Sequence, residues 1–388
     1  MGPESGIETP NFYVHPIGVD LRYAENGIGA YELIPTGVIR SVHVNLEMRE
    51  EVTDPNLLKW LDEGYLREKA ALFGFRKTEG SRYRMQTPSS KRSVYLQKDA
   101  YFEDEFGTGY SAVSAKGTGG SLATQKHFSY SDPVGFFGEQ HAILEEEVTQ
   151  LLAHAGARVG RVLGRIVLDP EKLKQWFSDK GVHDKYDPIH NLNRLRSHQE
   201  KPAIVVRLEG ADRLPDLRYR NHYSLSRTLG RTARLLLREI EGRGGVGAFS
   251  DYHQLPDIPT LLDDLESLDQ AGRIKVFGND KKATAEQQAT LVTLFHHFTE
   301  NNYRAAKKVS DEYYGGKLSI KNDPQDNDIA GFWYDFETSD PEYDQYDEPN
   351  VHYGFTRPSH PEPNFLNSEV SIDLKEKARI HAKELERE

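Results

Sequence analysis

A helix set among strands is the feature of this 388-residue chain that most limits its fold. The run GEQHAILEEEVTQLLAHAG (138–156) puts Ala142, Leu144, Val148, Leu151 and Leu152 on one broad apolar face, with Gly156 as a stop. Strand-like runs flank it: RSVYLQKDAYF (92–102) and GYSAVSAKGTGG (109–120) before it, RVGRVLGRIVL (158–168) and KPAIVVRLEG (201–210) after it. The second half changes character. SLSRTLGRTARLLLREIEG (224–242) and the longer run 283–316 read as helices, and a turn-rich aromatic motif, QDNDIAGFWYDFE (325–337), follows. Strands with one prominent helix, then helices, then a short motif describe an α+β protein of two lobes.

Upstream, residues 1–35 are rich in Gly, Pro and polar residues and read as an irregular arm. TGVIRSVHVNLEM (36–48) alternates as a strand does. DPNLLKWLDEGYLREKAALFGF (54–75) reads as one helix, with Asp54 as cap and Pro55 in its first turn. The segmentation that follows is an arm (1–35), a strand-rich lobe (36–215), a helical lobe ending in the aromatic motif (216–345), and an acidic linker with a last helix (346–388).

Composition excludes several functions. The formal charge is −12 and the pI about 5.7, so neither nucleic acid nor an anionic membrane is an expected partner. With no cysteine there are no disulfides, thiolate metal sites or cysteine nucleophile. No apolar run is long enough to span a bilayer and no leader is evident, so a cytoplasmic location is expected.

Four pieces carry candidate chemistry. In SAKGTGG, Lys116 ends a strand and Gly117, Thr118 and Gly119 follow; such glycines let backbone N–H groups approach phosphate oxygens while the lysine adds a charge. A glycine-rich hairpin turn with an exposed lysine would give the same letters. Of Glu145, Glu146 and Glu147, Glu145 lies closest to the apolar face, where it can pair with Lys116; the others read as solvated. In the aromatic motif, Asn327 and Asp335 are candidate ligands of a hard cation, and Asp326 is a candidate proton acceptor. The alternative is an Asx-type turn followed by an edge strand with an outward aspartate. Finally, Arg207 and Arg213, and Arg158, Arg161 and Arg165, are candidates for phosphate oxygens or for plain ion pairs. His296 and His297 read as helical surface and core-edge residues, Trp60, Trp176 and Phe177 as core or core-edge aromatics.

The order KGTG, then the glutamate helix, then a strand ending in arginine, then DNDIAGFWYDFE, resembles the selenoprotein O family over about residues 100–340. The resemblance implies a bilobed, protein-kinase-like fold that transfers AMP from ATP to protein hydroxyls, with the nucleotide bound in a flipped orientation. It implies ATP and Mg²⁺ (or Mn²⁺) as cofactors. Lys116, Gly117, Thr118 and Gly119 would hold phosphate, with Glu145 orienting Lys116. Asp326 would be the base, Asn327 and Asp335 would hold the metal, and Arg207 and Arg213 would reach the outward phosphates. The family's histidine-glycine lead-in to the Asp-Asn pair is replaced here by SIKNDPQ, and its C-terminal redox residue is absent. Two other expectations stand beside AMP transfer to a protein: a kinase acting on a small molecule or protein, and a nucleotide-regulated binding protein without activity.

Overall fold

The computed structural model describes residues 30–75, 93–98, 100–118, 137–179, 201–211, 230–239, 285–316, 318, 328, 330–334 and 336. Among these the chain is mixed α+β, a strand-rich part followed by a helical part.

The expected arm ends in a strand. β1 (Ala30–Leu33) pairs antiparallel with β3 (Leu72–Phe75), a partner about forty residues away that no local pattern announces. The alternating run at 36–48 opens with a 3-10 turn at Thr36–Val38, forms β2 (Ile39–Val44), and then stops. Asn45 stops it: its side chain accepts the Met48 N–H at 3.0 Å and starts helix α1 (Leu46–Glu51). The single helix expected over 54–75 is two helices and a strand. Asp54 caps α2 (Pro55–Trp60) as expected, but Asp62 accepts the Tyr65 N–H at 2.8 Å and starts a new helix, α3 (Glu63–Lys69). The break lets Leu57, Trp60, Leu61 and Leu66 all reach one core.

The central sheet holds β4 (Ser93–Gln97), β7 (Ala112–Lys116), β9 (Val162–Leu168) and β10 (Pro202–Glu209), ordered β2-β9-β10-β7-β4, all antiparallel. A short pair, β5 (Phe102–Glu103) with β6 (Gly109–Tyr110), precedes β7, and β8 (Phe137–Gly138) adds to the end of β10. The prominent helix is α4 (Glu139–His154), and Gly156 ends it at a φ of 91°. Helix α5 (Pro170–Asp179) was not expected from the sequence; Asp169 caps it, accepting the N–H groups of Glu171 (3.1 Å) and Lys172 (3.2 Å).

Strand β10 is buried on both faces, and its two-residue alternation sorts the chemistry. Ile204, Val206 and Leu208 join Val113, Ala115 and Ile166 in the main core. Ala203 and Val205 turn to the other face, with Phe137 and Ala142. Arg207 and Glu209 continue that second row, beneath α4. The helical part contributes α6 (230–239) and α7 (Ala285–Tyr313). Arg158 ties these to the sheet: its guanidinium lies between the rings of Phe298 and Phe332 (4.3 and 4.4 Å), and donates to Glu239 at 2.6 Å and to the Ala330 carbonyl at 3.0 Å.

A second buried cluster fastens the β5–β6 loop under α4. Asp104 accepts the N–H groups of Phe106 and Thr108, the Tyr110 hydroxyl and an Arg161 N–H at 3.2 Å. Burial pushes its carboxyl up to about 6 despite Arg161. A carboxyl raised in the folded state favours folding most below the unfolded value, and that contribution is lost as pH rises through the folded value. Relative to Asp104→Asn, the wild type should therefore lose roughly 3 kcal/mol of stability between about pH 4 and about pH 7. Urea unfolding of both proteins across that range checks it; parallel curves would refute it.

Candidate active site

Strand β7 ends in Lys116, and the chain leaves it through Gly117 at a φ of 92°. A side chain at Gly117 would lie 2.6 Å from the Ala203 carbonyl, so both the turn and the close approach to β10 require glycine. Lys116 is buried, its ammonium 4.6 Å from the centre of the Phe137 ring and 3.6 Å from Glu145 Oε2. The expected pairing between the strand lysine and the helix glutamate is thus present. The separation exceeds a hydrogen bond and marks a direct ion pair.

Glu145 serves a second cation. Arg207, on β10 beside β7, donates from Nη1 to Glu145 Oε1 at 2.9 Å and from Nε to Glu209 Oε1 at 3.3 Å. Ser114, directly opposite Arg207 in the register, donates its hydroxyl to the same Glu209 oxygen at 2.5 Å. All five side chains are buried, and two lysine/arginine charges meet two glutamate charges. The arginine expected at the outward phosphates is therefore engaged by two carboxylates of its own chain. Further along α4, Arg165 on β9 bonds Glu146, and Lys201 bonds Glu139 at 2.7 Å. Glu146 was expected in solvent; its carboxyl faces the sheet instead, and burial pushes its pKa up. Arg158 and Arg161 are likewise buried in ion pairs, with Glu239 and with Asp104 and Glu105.

The aromatic motif docks on the end of β10. Trp333 pairs in parallel with Val159, with Gly160 N–H to Trp333 O at 2.8 Å and Trp333 N–H to Arg158 O at 3.0 Å. The described turn runs from Asp328 to Phe332, closed by Gly331 N–H to Asp328 O at 3.1 Å. Gly160 and Gly210 leave the room for the rings: a Cβ there would lie 2.4 Å from Tyr334 and 2.1 Å from Phe332. The Tyr334 ring sits 5.4 Å from the Arg207 guanidinium, so the docked motif touches the charge network.

Of the residues expected to act together, Lys116 and Arg207 both meet Glu145, and Gly117 and Thr118 follow Lys116 in the chain. Gly119, Arg213, Asp326, Asn327 and Asp335 lie outside the described residues. Missed were Glu209, Ser114, Tyr334 and Asp328. Glu209 and Ser114 could have been found as the polar positions of the alternating strands that carry Arg207 and Lys116. A lysine with a positive-φ glycine fits a phosphate by the chemistry of its donors. Among the described residues no group of three or more His, Asp or Glu is placed to hold a metal ion. Comparison with protein-family models, curated proteins and solved structures finds no match to this chain.

Breaking a buried pair costs more than replacing it, because the partner left behind stays desolvated. Glu145 faces two cations, and Arg207 stays paired with it when Lys116 is removed, so Glu145→Gln should destabilise the fold by about 3 kcal/mol or more. Lys116→Met should cost distinctly less. Denaturant midpoints rank the two, and the reverse order would refute the sharing of Glu145.

Proposed function

We propose that the chain is an ATP- and Mg²⁺-dependent transferase of kinase-like, bilobed fold, which moves AMP onto protein hydroxyl groups. The observation that carries this reading is the buried Lys116–Glu145 pair, formed between a strand and the helix that follows it. Kinase-like phosphate sites use this pairing to hold a lysine at the nucleotide phosphates. The strand order supports it further: β7, then α4, then β9 and β10, with β10 lying between β7 and β9.

In this reading Lys116 contacts phosphate from the turn at Gly117, and Glu145 fixes the ammonium. Asn and Asp oxygens suit a hard cation, and Asn327 and Asp335 would hold it. Asp326 would accept the hydroxyl proton. The metal would neutralise charge on the phosphates, leaving the chain to orient nucleotide and acceptor. Arg207 acts on Glu145 rather than on phosphate, and Arg213 remains the arginine for the outward phosphates. AMP rather than phosphate transfer follows from the family resemblance.

One observation favours a second reading, a nucleotide-regulated binding protein without transfer. Lys116, Glu145 and Arg207 are all buried and mutually engaged, an arrangement that also serves structure alone. Incubation with ATP labelled at the α- or the γ-phosphate separates the readings. The expected result is Mg²⁺-dependent protein labelling from the α position only, lost in Asp326→Ala and reduced at least about a hundredfold in Lys116→Met. Label from the γ position alone makes the protein a kinase. No transfer, with ATP still raising the melting temperature, makes it a binding protein.

A further inference from the structure

The β5–β6 loop and the aromatic turn are built on the same letters. D-x-x-G-x-x-Y stands at 104–110 (DEFGTGY) and again at 328–334 (DIAGFWY). In both, one aspartate oxygen accepts the N–H groups two and four residues on, and the other meets the tyrosine hydroxyl. The glycine has a positive φ in each, 72° at Gly107 and 78° at Gly331. The copies differ beside the aspartate. The second has Ile329 where the first has Glu105, so the turn itself does not call for a second acid there.

That extra acid leaves the first copy one proton short. The side chains of Asp104 and Glu105 are 1% and 3% exposed, and both bond Arg161, at 3.2 and 2.8 Å. Two carboxylates thus share one guanidinium out of water, which favours a proton on the pair. The Tyr110 hydroxyl, 3.1 Å from Asp104 Oδ2 and 3.2 Å from the Val159 carbonyl, has one proton for two acceptors. A proton on Asp104 Oδ2 resolves the conflict, since Asp104 then donates to Tyr110 and Tyr110 to Val159. Glu105 Oε2, also buried, has no donor among the described residues. Burial pushes the Asp104 carboxyl up to about 6, in the same direction.

The surroundings add no second cation to the pair among the described residues. From α4, Gln150 bonds Arg161, and the His154 ring meets the Phe106 ring at 4.9 Å and Glu47 of α1 at 2.6 Å. Arg161 lies against the same Phe106 ring at 5.3 Å, and Arg158 faces Tyr110. From α2, Asp54 accepts the Glu103 N–H at 3.2 Å; from α6, Arg238 lies over the Tyr101 ring at 5.6 Å.

We propose that the β5–β6 loop is a proton-operated latch. One proton taken up by the Asp104–Glu105 pair lets Asp104 hold Phe106 and Thr108 beneath α4. Its loss as pH rises leaves a net negative charge buried at Arg161, and the loop lifts off, taking Phe106 away from His154. A carboxyl raised in the closed loop favours closing most below its open-loop value, and that contribution is lost as pH rises through the closed-loop value. The latch stands apart from the transferase reading and holds or fails without it.

Amide hydrogen exchange reads it directly, because the Phe106 and Thr108 N–H groups are the ones bonded to Asp104. With the intrinsic pH dependence of exchange divided out, both should open at least about tenfold more often at about pH 7 than at about pH 4.5. That opening should be insensitive to low urea, since lifting one loop exposes little surface. Asp104→Asn should flatten the pH profile. Glu105→Gln keeps the acceptor for Arg161 and removes one charge, so it should move the rise to lower pH, and it decides the matter if Asp104→Asn fails to fold. Exchange that matches the mid-β10 amides in rate and urea dependence at every pH means that the loop opens only with the whole fold, and overturns the latch. An unmoved profile in Glu105→Gln overturns the sharing of the proton.

Discussion

One carboxylate shared by two cations sets the geometry of the strand-rich part. Glu145 faces Lys116 from β7 and Arg207 from β10, so a single side chain of α4 is bonded across two neighbouring strands. At an effective dielectric of about 20 each contact at about 4 Å is worth roughly 4 kcal/mol of attraction, and desolvating the ions costs a similar amount each. The network therefore adds little net stability. What it fixes is rotation: turning α4 by one residue would bury Glu146 or Leu144 where Glu145 stands and strand both cations. Helix, sheet and the turn at Gly117 hold one arrangement because the alternatives leave charges unpaired.

The sequence made some of this legible and hid the rest for physical reasons. Helix α4 and strands β7, β9 and β10 are legible because their periods of 3.6 and 2 are written locally. Glu145 is legible because it borders the apolar face of its helix. The split at Asp62 is not, because a capping aspartate and a solvated one have the same letter, and only the burial of Leu57, Trp60, Leu61 and Leu66 in one core selects the break. Strand β1 and the partners of Arg158 are set by contacts far apart in sequence. Arg207 lies beside Glu145 and Lys116, but the carboxylates it bonds, Glu145 and Glu209, come from elements that no local pattern joins to it. In the motif DNDIAGFWYD the residue types favour Asp326, Asn327 and Asp335 as site residues, and nothing local tells that Asp328 accepts hydrogen bonds from Ala330, Phe332, Ala211 and Tyr334.

The motif that carries Asp328 is held from two sides at once. On one side Asp328 accepts the Ala211 N–H and the Tyr334 hydroxyl accepts the Gly210 N–H. On the other, Arg158 lies against Phe332 and takes the Ala330 carbonyl, while Asn302 of α7 donates to the Gly331 carbonyl at 2.8 Å and accepts the Arg158 N–H at 2.7 Å. Arg158 also reaches Glu239 of α6, so sheet, both helices and turn share one buried residue. Gly331, at a φ of 78°, is needed because a Cβ there would lie 2.4 Å from Phe298. A displacement of either helix would thus be felt at the turn.

The two networks meet at Tyr334. Its hydroxyl donates to Asp328 and its ring lies against Arg207, which leads through Glu145 to Lys116. A continuous path of buried charge and hydrogen bonds therefore runs from the turn to Lys116. Such a path transmits position only if its members have no slack, and here each is buried and bonded on more than one side. Lys116 and the aromatic motif, about two hundred residues apart in sequence, are in that sense one packed unit, and a shift at one end would be felt at the other.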